Sequence, residues 1–249
     1  MINSRTAFFL GARRTAQAFF LKRLFGNAKA TMNDGRVEFA VIGHLVRPGS
    51  VVLDVGAHVG VFARRFSELQ PDCTVVAFEP QSLPRAVFTM VGYFRRSRKI
   101  IVLPFAVGAE PTLADLSVPI KDRGGVGIGL AHIGDDGDLA QRFVIKKEVA
   151  AVVRIDDVME RLDLGPASFI KVDVEGGELN ALRGAEAVID AHKPAILCEI
   201  DGRESRFGST TEALFEFLQL KGYKAKSLES GRLLSLQTLE KNTLFVHGA

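Results

Sequence analysis

Short apolar runs alternate along this chain with stretches whose apolar residues recur every third or fourth position. Val51-Val52-Leu53-Asp54-Val55-Gly56 follows the turn residues Arg47-Pro48-Gly49-Ser50. A run of that length, bounded in that way, predicts a strand buried on both faces. Phe62, Phe66 and Leu69 then recur at i, i+4 and i+7, one face of a helix, and Pro71 stands just beyond its end. Val75-Val76-Ala77-Phe78-Glu79-Pro80 predicts a second strand, ended by proline, and Ile100-Ile101-Val102-Leu103-Pro104-Phe105 a third. Strands alternating with helices predict a parallel, doubly wound α/β sheet.

The rhythm breaks at about 108–150 and returns afterwards. The break holds Lys121-Asp122-Arg123-Gly124-Gly125-Val126-Gly127-Ile128-Gly129 and Gly134-Asp135-Asp136-Gly137-Asp138. That glycine density predicts a mobile loop between two edge strands, spanning about 120–138 and serving as a lid. Ser168–Val174 predicts a further strand, followed by one helix carrying Leu179, Leu182 and Ile189. Pro194–Ile200 predicts the next strand. Ser209-Thr210-Thr211-Glu212 is a capping box that opens a helix with Leu214, Phe217 and Leu218 on one face, closed by Gly222. Two last strands, near 223–228 and 242–247, are close enough in sequence to pair antiparallel.

Composition narrows the class. The 249 residues suit one large α/β domain, with 47% hydrophobic and 24% charged residues. A formal net charge of +3 does not imply a nucleic-acid partner, and basic and aromatic residues never interleave as a strand-tracking groove. No stretch of 18 apolar residues is present to span a bilayer. Cys73 and Cys198 form no metal-binding spacing, and the pattern fits a cytoplasmic location. Residues 1–33 are separate in character. Arg5, Arg13, Arg14, Lys22, Arg23 and Lys29 alternate with Phe8, Phe9, Leu10, Phe19, Phe20, Leu21, Leu24 and Phe25, with no acid among them. The leading expectation is a helical cap, residues 1–35, on a main domain, residues 36–249. A membrane-surface helix and a cleaved transit peptide are the alternatives. Oligomeric state leaves no signal.

Chemistry concentrates at two places. In Asp54-Val55-Gly56-Ala57-His58-Val59-Gly60 a strand turns into a helix, at the carboxyl edge where open α/β sheets bind ligands. Gly56 permits the tight turn and Gly60 a close helix approach. Glu79, 25 residues after Asp54, ends the second strand and can accept two hydrogen bonds from ribose hydroxyls. A nicotinamide dinucleotide wants GxGxxG, whereas here His58 takes the middle position and Asp54 would repel a pyrophosphate. S-adenosylmethionine, whose sulfonium is cationic, tolerates that acid better. An NAD-dependent oxidoreductase and a non-catalytic S-adenosylmethionine-binding protein stay as alternatives. The second place is Lys171-Val172-Asp173-Val174-Glu175-Gly176-Gly177-Glu178, where strand alternation puts Lys171, Asp173 and Glu175 on one side. Buried charges of this kind are paired or working, so Lys171 with Asp173 or Glu199 is the plain structural alternative.

Leu53–Gly60, Phe78-Glu79-Pro80, Arg154-Ile155-Asp156-Asp157-Val158, Ile170–Glu178 through Leu182-Arg183-Gly184, and Leu197-Cys198-Glu199-Ile200 together resemble the FkbM-type methyltransferases, over about Gly35 to Val246. The resemblance implies a Rossmann-like class I methyltransferase fold, a seven-stranded sheet with an antiparallel last strand. It implies S-adenosyl-L-methionine as donor and a hydroxyl of a sugar, glycan, polyketide or similar small molecule as acceptor. It further implies that Asp54, Gly56, Ala57, His58 and Gly60 line the donor's amino acid end. Glu79, beside Pro80, would hold the ribose, Phe105 and Ala106 would lie by the adenine, and Asp173 and Glu175 near the transferred methyl. His58 departs from the family, which usually has Asn there, and residues 1–33 lie outside the shared pattern.

Methyl transfer to a hydroxyl needs a held nucleophile and removal of its proton. Asp173 is the first candidate base, His58 the second and His132 a third. A divalent metal such as Mg²⁺ on Asp173, Glu199 and Asp201 would be a rival device, but no diagnostic spacing supports it and it is not favoured.

Overall fold

The computed structural model describes residues 39, 42–95, 99–120, 131–133, 139–203 and 208–248. The expected cap at 1–35 and nearly all of the glycine-rich 120–138 segment therefore lie outside the described residues.

A seven-stranded sheet forms the centre. Its strands are β1 (Val51–Val55), β2 (Thr74–Phe78), β3 (Ile100–Leu103), β8 (Ala167–Val172), β9 (Ala195–Glu199), β10 (Tyr223–Ser227) and β11 (Asn242–His247). The spatial order is β10-β11-β9-β8-β1-β2-β3, parallel from β9 to β3, with β11 antiparallel to both neighbours. This is the doubly wound arrangement expected, with its antiparallel last strand.

Helices α1 (Val61–Leu69) and α2 (Ser82–Arg95) follow β1 and β2, while α3 (Ile155–Arg161), α4 (Glu178–Arg183), α5 (Glu186–His192) and α6 (Thr211–Leu220) are the later ones. Period-two alternation sorts the strand residues between two cores. Val51, Leu53, Val55, Ile170 and Cys198 join Leu179, Leu182 and Leu214 on one face. Val52, Phe169 and Leu197 join Ala63, Phe66 and Phe88 on the other, the α1 face. Thr210 caps α6, accepting from the Ala213 amide at 3.2 Å, one residue later than the Ser209–Glu212 capping box predicts, so Glu212 is the second helical residue instead of the third.

Three expectations need correction. The single helix after β8 is two, α4 and α5, because the chain turns at Gly184, where a Cβ would meet the Gly108 carbonyl oxygen at 2.1 Å. The run 100–105 is not one strand. Pro104 divides β3 from β4 (Phe105–Val107), since proline lacks the amide a central ladder needs. Finally, the two strands expected on either side of the 120–138 loop, β5 (Thr112–Ile120) and β7 (Val144–Val153), do not edge the main sheet: with β4 and β6 (His132–Ile133) they build a second one, ordered β4-β7-β5-β6. Ala106, Leu116, Val118, Ala150 and Val152 form its small core.

Candidate active site

Strand alternation builds the site. In the register of the sheet Asp54 pairs with Lys171 and with Ala77, and Lys171 pairs with Leu197. These residues point to the α1 face, as their neighbours Val52 and Phe169 do. Two residues further along, the same row reads Glu79, Gly56, Asp173 and Glu199, at the carboxyl ends of β2, β1, β8 and β9. The site is thus a row of acids with a glycine in its middle, lying over a buried acid–lysine pair.

Asp54 is fully buried, and its Oδ2 accepts from the Ala63 amide at 3.0 Å, in the first turn of α1. Its Oδ1 makes no hydrogen bond and stands 3.9 Å from Lys171 Nζ. Burial raises the Asp54 pKa and Lys171 partly offsets this. The carboxylate therefore works beneath the turn, holding α1 on β1. Lys171 is itself 6% exposed, contacts Asp173 Oδ2 at 3.0 Å and lies 4.9 Å over the Phe62 ring. Burial disfavours its charge, but Asp173 and Asp54 more than compensate, so it stays an ammonium.

The turn between β1 and α1 is closed on itself. Gly56 and Ala57 donate to the Phe78 carbonyl at 3.1 and 2.9 Å, and Gly60 donates to Ala57 at 2.7 Å. The His58 amide donates to Glu79 Oε2 at 2.7 Å. A pyrophosphate site needs such amides turned outward. Gly56 has φ +78°, and a Cβ there would lie 1.8 Å from the Asp173 carbonyl oxygen. Gly60 serves packing: a Cβ would strike the Phe88 ring of α2 at 2.3 Å. His58 adopts φ 52°, a region where Asn and His are enriched, which is how His stands in for the family's Asn. Its buried Nε2 has no hydrogen-bond partner among the described residues, and burial lowers its pKa, so the ring is neutral.

Glu79 is held by two amides, His58 to Oε2 and Gln81 to Oε1, the latter at 2.8 Å. Each oxygen retains a lone pair for a further donor. Burial pushes its pKa up to about 7, against the pull of those two amides. Pro80 lends its carbonyl to Arg85 at 2.7 Å. Of the two residues expected near an adenine, Ala106 is buried in the core of the second sheet and Phe105 lies half-buried against the main core.

Asp173 and Glu175 do not share a face. β8 ends at Val172, and Glu175 turns away with φ 60° into an ion pair with Arg203, which also holds Asp201 Oδ2 at 3.0 Å. Asp173 is a weak candidate base for a physical reason. Burial alone would raise its pKa, but Lys171 and a hydrogen bond from Glu199 hold it at about 2. Glu199, which by sequence is an ion-pair partner or metal ligand, is the acid that burial and Asp173 push up to about 7. Lys241 Nζ lies 2.5 Å from its Oε1. Asp173 faces Lys171, Glu199 faces Lys241 and Asp201 is turned to Arg203, and among the described residues no three His, Cys, Asp or Glu side chains group as a metal set. Glu178 ends the second motif, and nothing in the sequence gives it a task of its own. Its Oε1 accepts the Val174 and Gly176 amides at 3.0 and 3.1 Å and shapes the loop after β8. His132, the third candidate base, is 1% exposed in β6 beside Ser117, away from this row.

Among the described residues no helix is long and apolar enough to cross a membrane. A model of the methyltransferase FkbM domain matches residues 54–225. The 31-O-demethyl-FK506 methyltransferase FkbM of Streptomyces tacrolimicus is 31% identical over 173 residues, 61% of this chain and 64% of that protein. The AMB antimetabolite synthetase AmbE of Pseudomonas aeruginosa is 23% identical over 212 residues, 73% of this chain and 10% of that protein. The crystal structure of methyltransferase FkbM from Methylobacillus flagellatus shares the fold, with a TM-score of 0.50 at 19% identity, over 82% of this chain and 49% of that one. The chain thus spans 64% of the first curated relative's length and about half of the solved chain.

Proposed function

This chain belongs to the FkbM methyltransferase family, and on that premise we propose that it is an S-adenosylmethionine-dependent O-methyltransferase whose acceptor is a hydroxyl of a sugar, glycan, polyketide or similar small molecule. The observation that carries the donor assignment is the pairing of a self-satisfied turn with Glu79. The amides of Gly56, Ala57, His58 and Gly60 all donate within the protein, while Glu79 keeps two oxygens able to accept from vicinal hydroxyls. That chemistry suits a ribose, and the Asp54 carboxylate already takes the Ala63 amide in the first turn of α1, where a pyrophosphate would meet like charge, which disfavours NAD. His58 Nε2, buried and without a partner among the described residues, is a further polar group suited to a ligand. The relative from Streptomyces tacrolimicus is a 31-O-demethyl-FK506 methyltransferase, which supports an oxygen acceptor.

The donor supplies a methyl group already activated on a positively charged sulfur. The protein's part is to bind it, orient the acceptor oxygen in line, and receive the hydroxyl proton. Positioning of this kind is worth up to about 7–11 kcal/mol in well-oriented systems. Asp173, tied to Lys171, contributes fixed negative charge to a site for a cation. Isothermal calorimetry with S-adenosylmethionine, S-adenosylhomocysteine and NAD tests the assignment. Heat from the two adenosyl ligands and none from NAD is expected, and the opposite result would refute it.

A further inference from the structure

Asp173 and Glu199 lie side by side on the α1 face, each one residue past the paired Val172 and Cys198 of adjacent strands. Two neighbouring carboxyl groups, partly buried, repel each other when both are charged, so the pair holds one proton. The surrounding charges decide which oxygen carries it. Lys171, buried on β8, contacts Asp173 at 3.0 Å and keeps it ionised. Lys241, which precedes β11, reaches Glu199 but its side chain is 66% exposed, so water screens its pull. Asp201, in the loop after β9, is tied to Arg203, which also neutralises Glu175. The proton therefore rests on Glu199.

We propose that Glu199 is the base that receives the acceptor's proton, and that it stays protonated until a cationic donor enters the site and drives that proton into solvent. The inference rests on the reading of this row as an S-adenosylmethionine site. The protons balance over a cycle. Glu199 loses one to solvent on donor binding. It regains one from the acceptor hydroxyl as the oxygen–carbon bond forms and the carbon–sulfur pair stays on sulfur. The positive charge is then gone, and the protonated acid is again the stable form beside Asp173.

Calorimetry on the whole chain tests this without any acceptor. Titrations with S-adenosylmethionine and with S-adenosylhomocysteine, in buffers of low and high ionisation heat, read the protons released by each. Glu79 answers to the ribose that both ligands carry, so its contribution cancels in the difference. With Glu199 pushed up to about 7, S-adenosylmethionine should release about half a proton more than its demethylated product at pH 7. Glu199→Gln should bind both ligands and erase that difference. Lys241→Met should move the pH of the largest difference upward, because the ammonium favours the charged carboxyl. Equal release from the two ligands, or a difference that survives Glu199→Gln, overturns the proposal. Should Glu199→Gln not fold, an unmoved pH dependence in Lys241→Met overturns it instead. Absence of binding by both ligands would reject the donor assignment itself.

Discussion

Glu79 shows how one residue couples shape to pH. Its carboxyl is oriented by the His58 and Gln81 amides and its pKa is pushed up to about 7 by burial. Ribose hydroxyls donate more strongly to the carboxylate than to the protonated acid, so ligand binding lowers this pKa and releases a proton. Affinity for S-adenosylhomocysteine should therefore fall as pH drops below about 7, by up to about tenfold per unit, and level off above it. Glu79→Ala should remove this pH dependence and weaken binding by about 1.5–3 kcal/mol for each hydrogen bond lost. A folded variant with wild-type affinity would contradict the role. The two glycines of the turn should differ in kind. Gly60→Ala meets a ring that can shift, and should cost about 1–3 kcal/mol in urea denaturation. Gly56→Ala meets the Asp173 backbone, which cannot, and should cost more and abolish ligand binding.

At the scale of elements, the family-like segment Arg154–Val158 acts in a helix start some thirty residues away. Asp156 accepts the Val188 and Ala187 amides of α5 at 3.0 and 3.1 Å, and pairs with Arg154 at 2.9 Å. It is a cap supplied from α3, since Ala185, which precedes α5, offers no capping side chain. Asp156→Ala should lower stability by about 1–2 kcal/mol by chemical denaturation, with S-adenosylhomocysteine affinity unchanged. A loss of affinity at full stability would place this residue in the site. The second sheet has its own link to the site. Glu148 of β7 accepts from the amide and hydroxyl of Ser82 at 3.2 and 3.0 Å, where α2 begins just after Glu79-Pro80-Gln81.

For the whole molecule, every residue of the acidic row follows Val51 and belongs to one compact unit, Phe39–Ala249. The 36–249 chain should therefore bind S-adenosylhomocysteine with nearly the affinity of the full chain. We propose that residues 1–35 serve the acceptor side, with a membrane surface as the other candidate contact for 1–33. Comparing both chains by calorimetry checks the first expectation, and a large loss of affinity in the shorter chain would show that the donor site extends into 1–35.

What the sequence determined by itself is what local pattern encodes. Apolar runs between turn residues located the central strands, and put the Asp54–Gly60 turn and Glu79 at the carboxyl edge of the sheet, because spacing along one strand and its turn is set by backbone geometry. The start of α6 was legible to within one residue for the same reason. Only tertiary structure decided what depends on neighbours distant in sequence. Asp54 reads as a ligand-lining acid until Lys171 and the Ala63 amide are found beside it. Asp173 reads as a base until a buried ammonium at 3.0 Å holds it ionised, and Glu199 gains its proton only because that carboxylate lies on the adjacent strand. Glu175 left its predicted face because β8 stops at Val172, and the second sheet stayed hidden because its long hairpin joins residues on either side of a glycine-rich stretch. Charge, unlike periodicity, takes its meaning from which strands become neighbours, and no short window of sequence carries that.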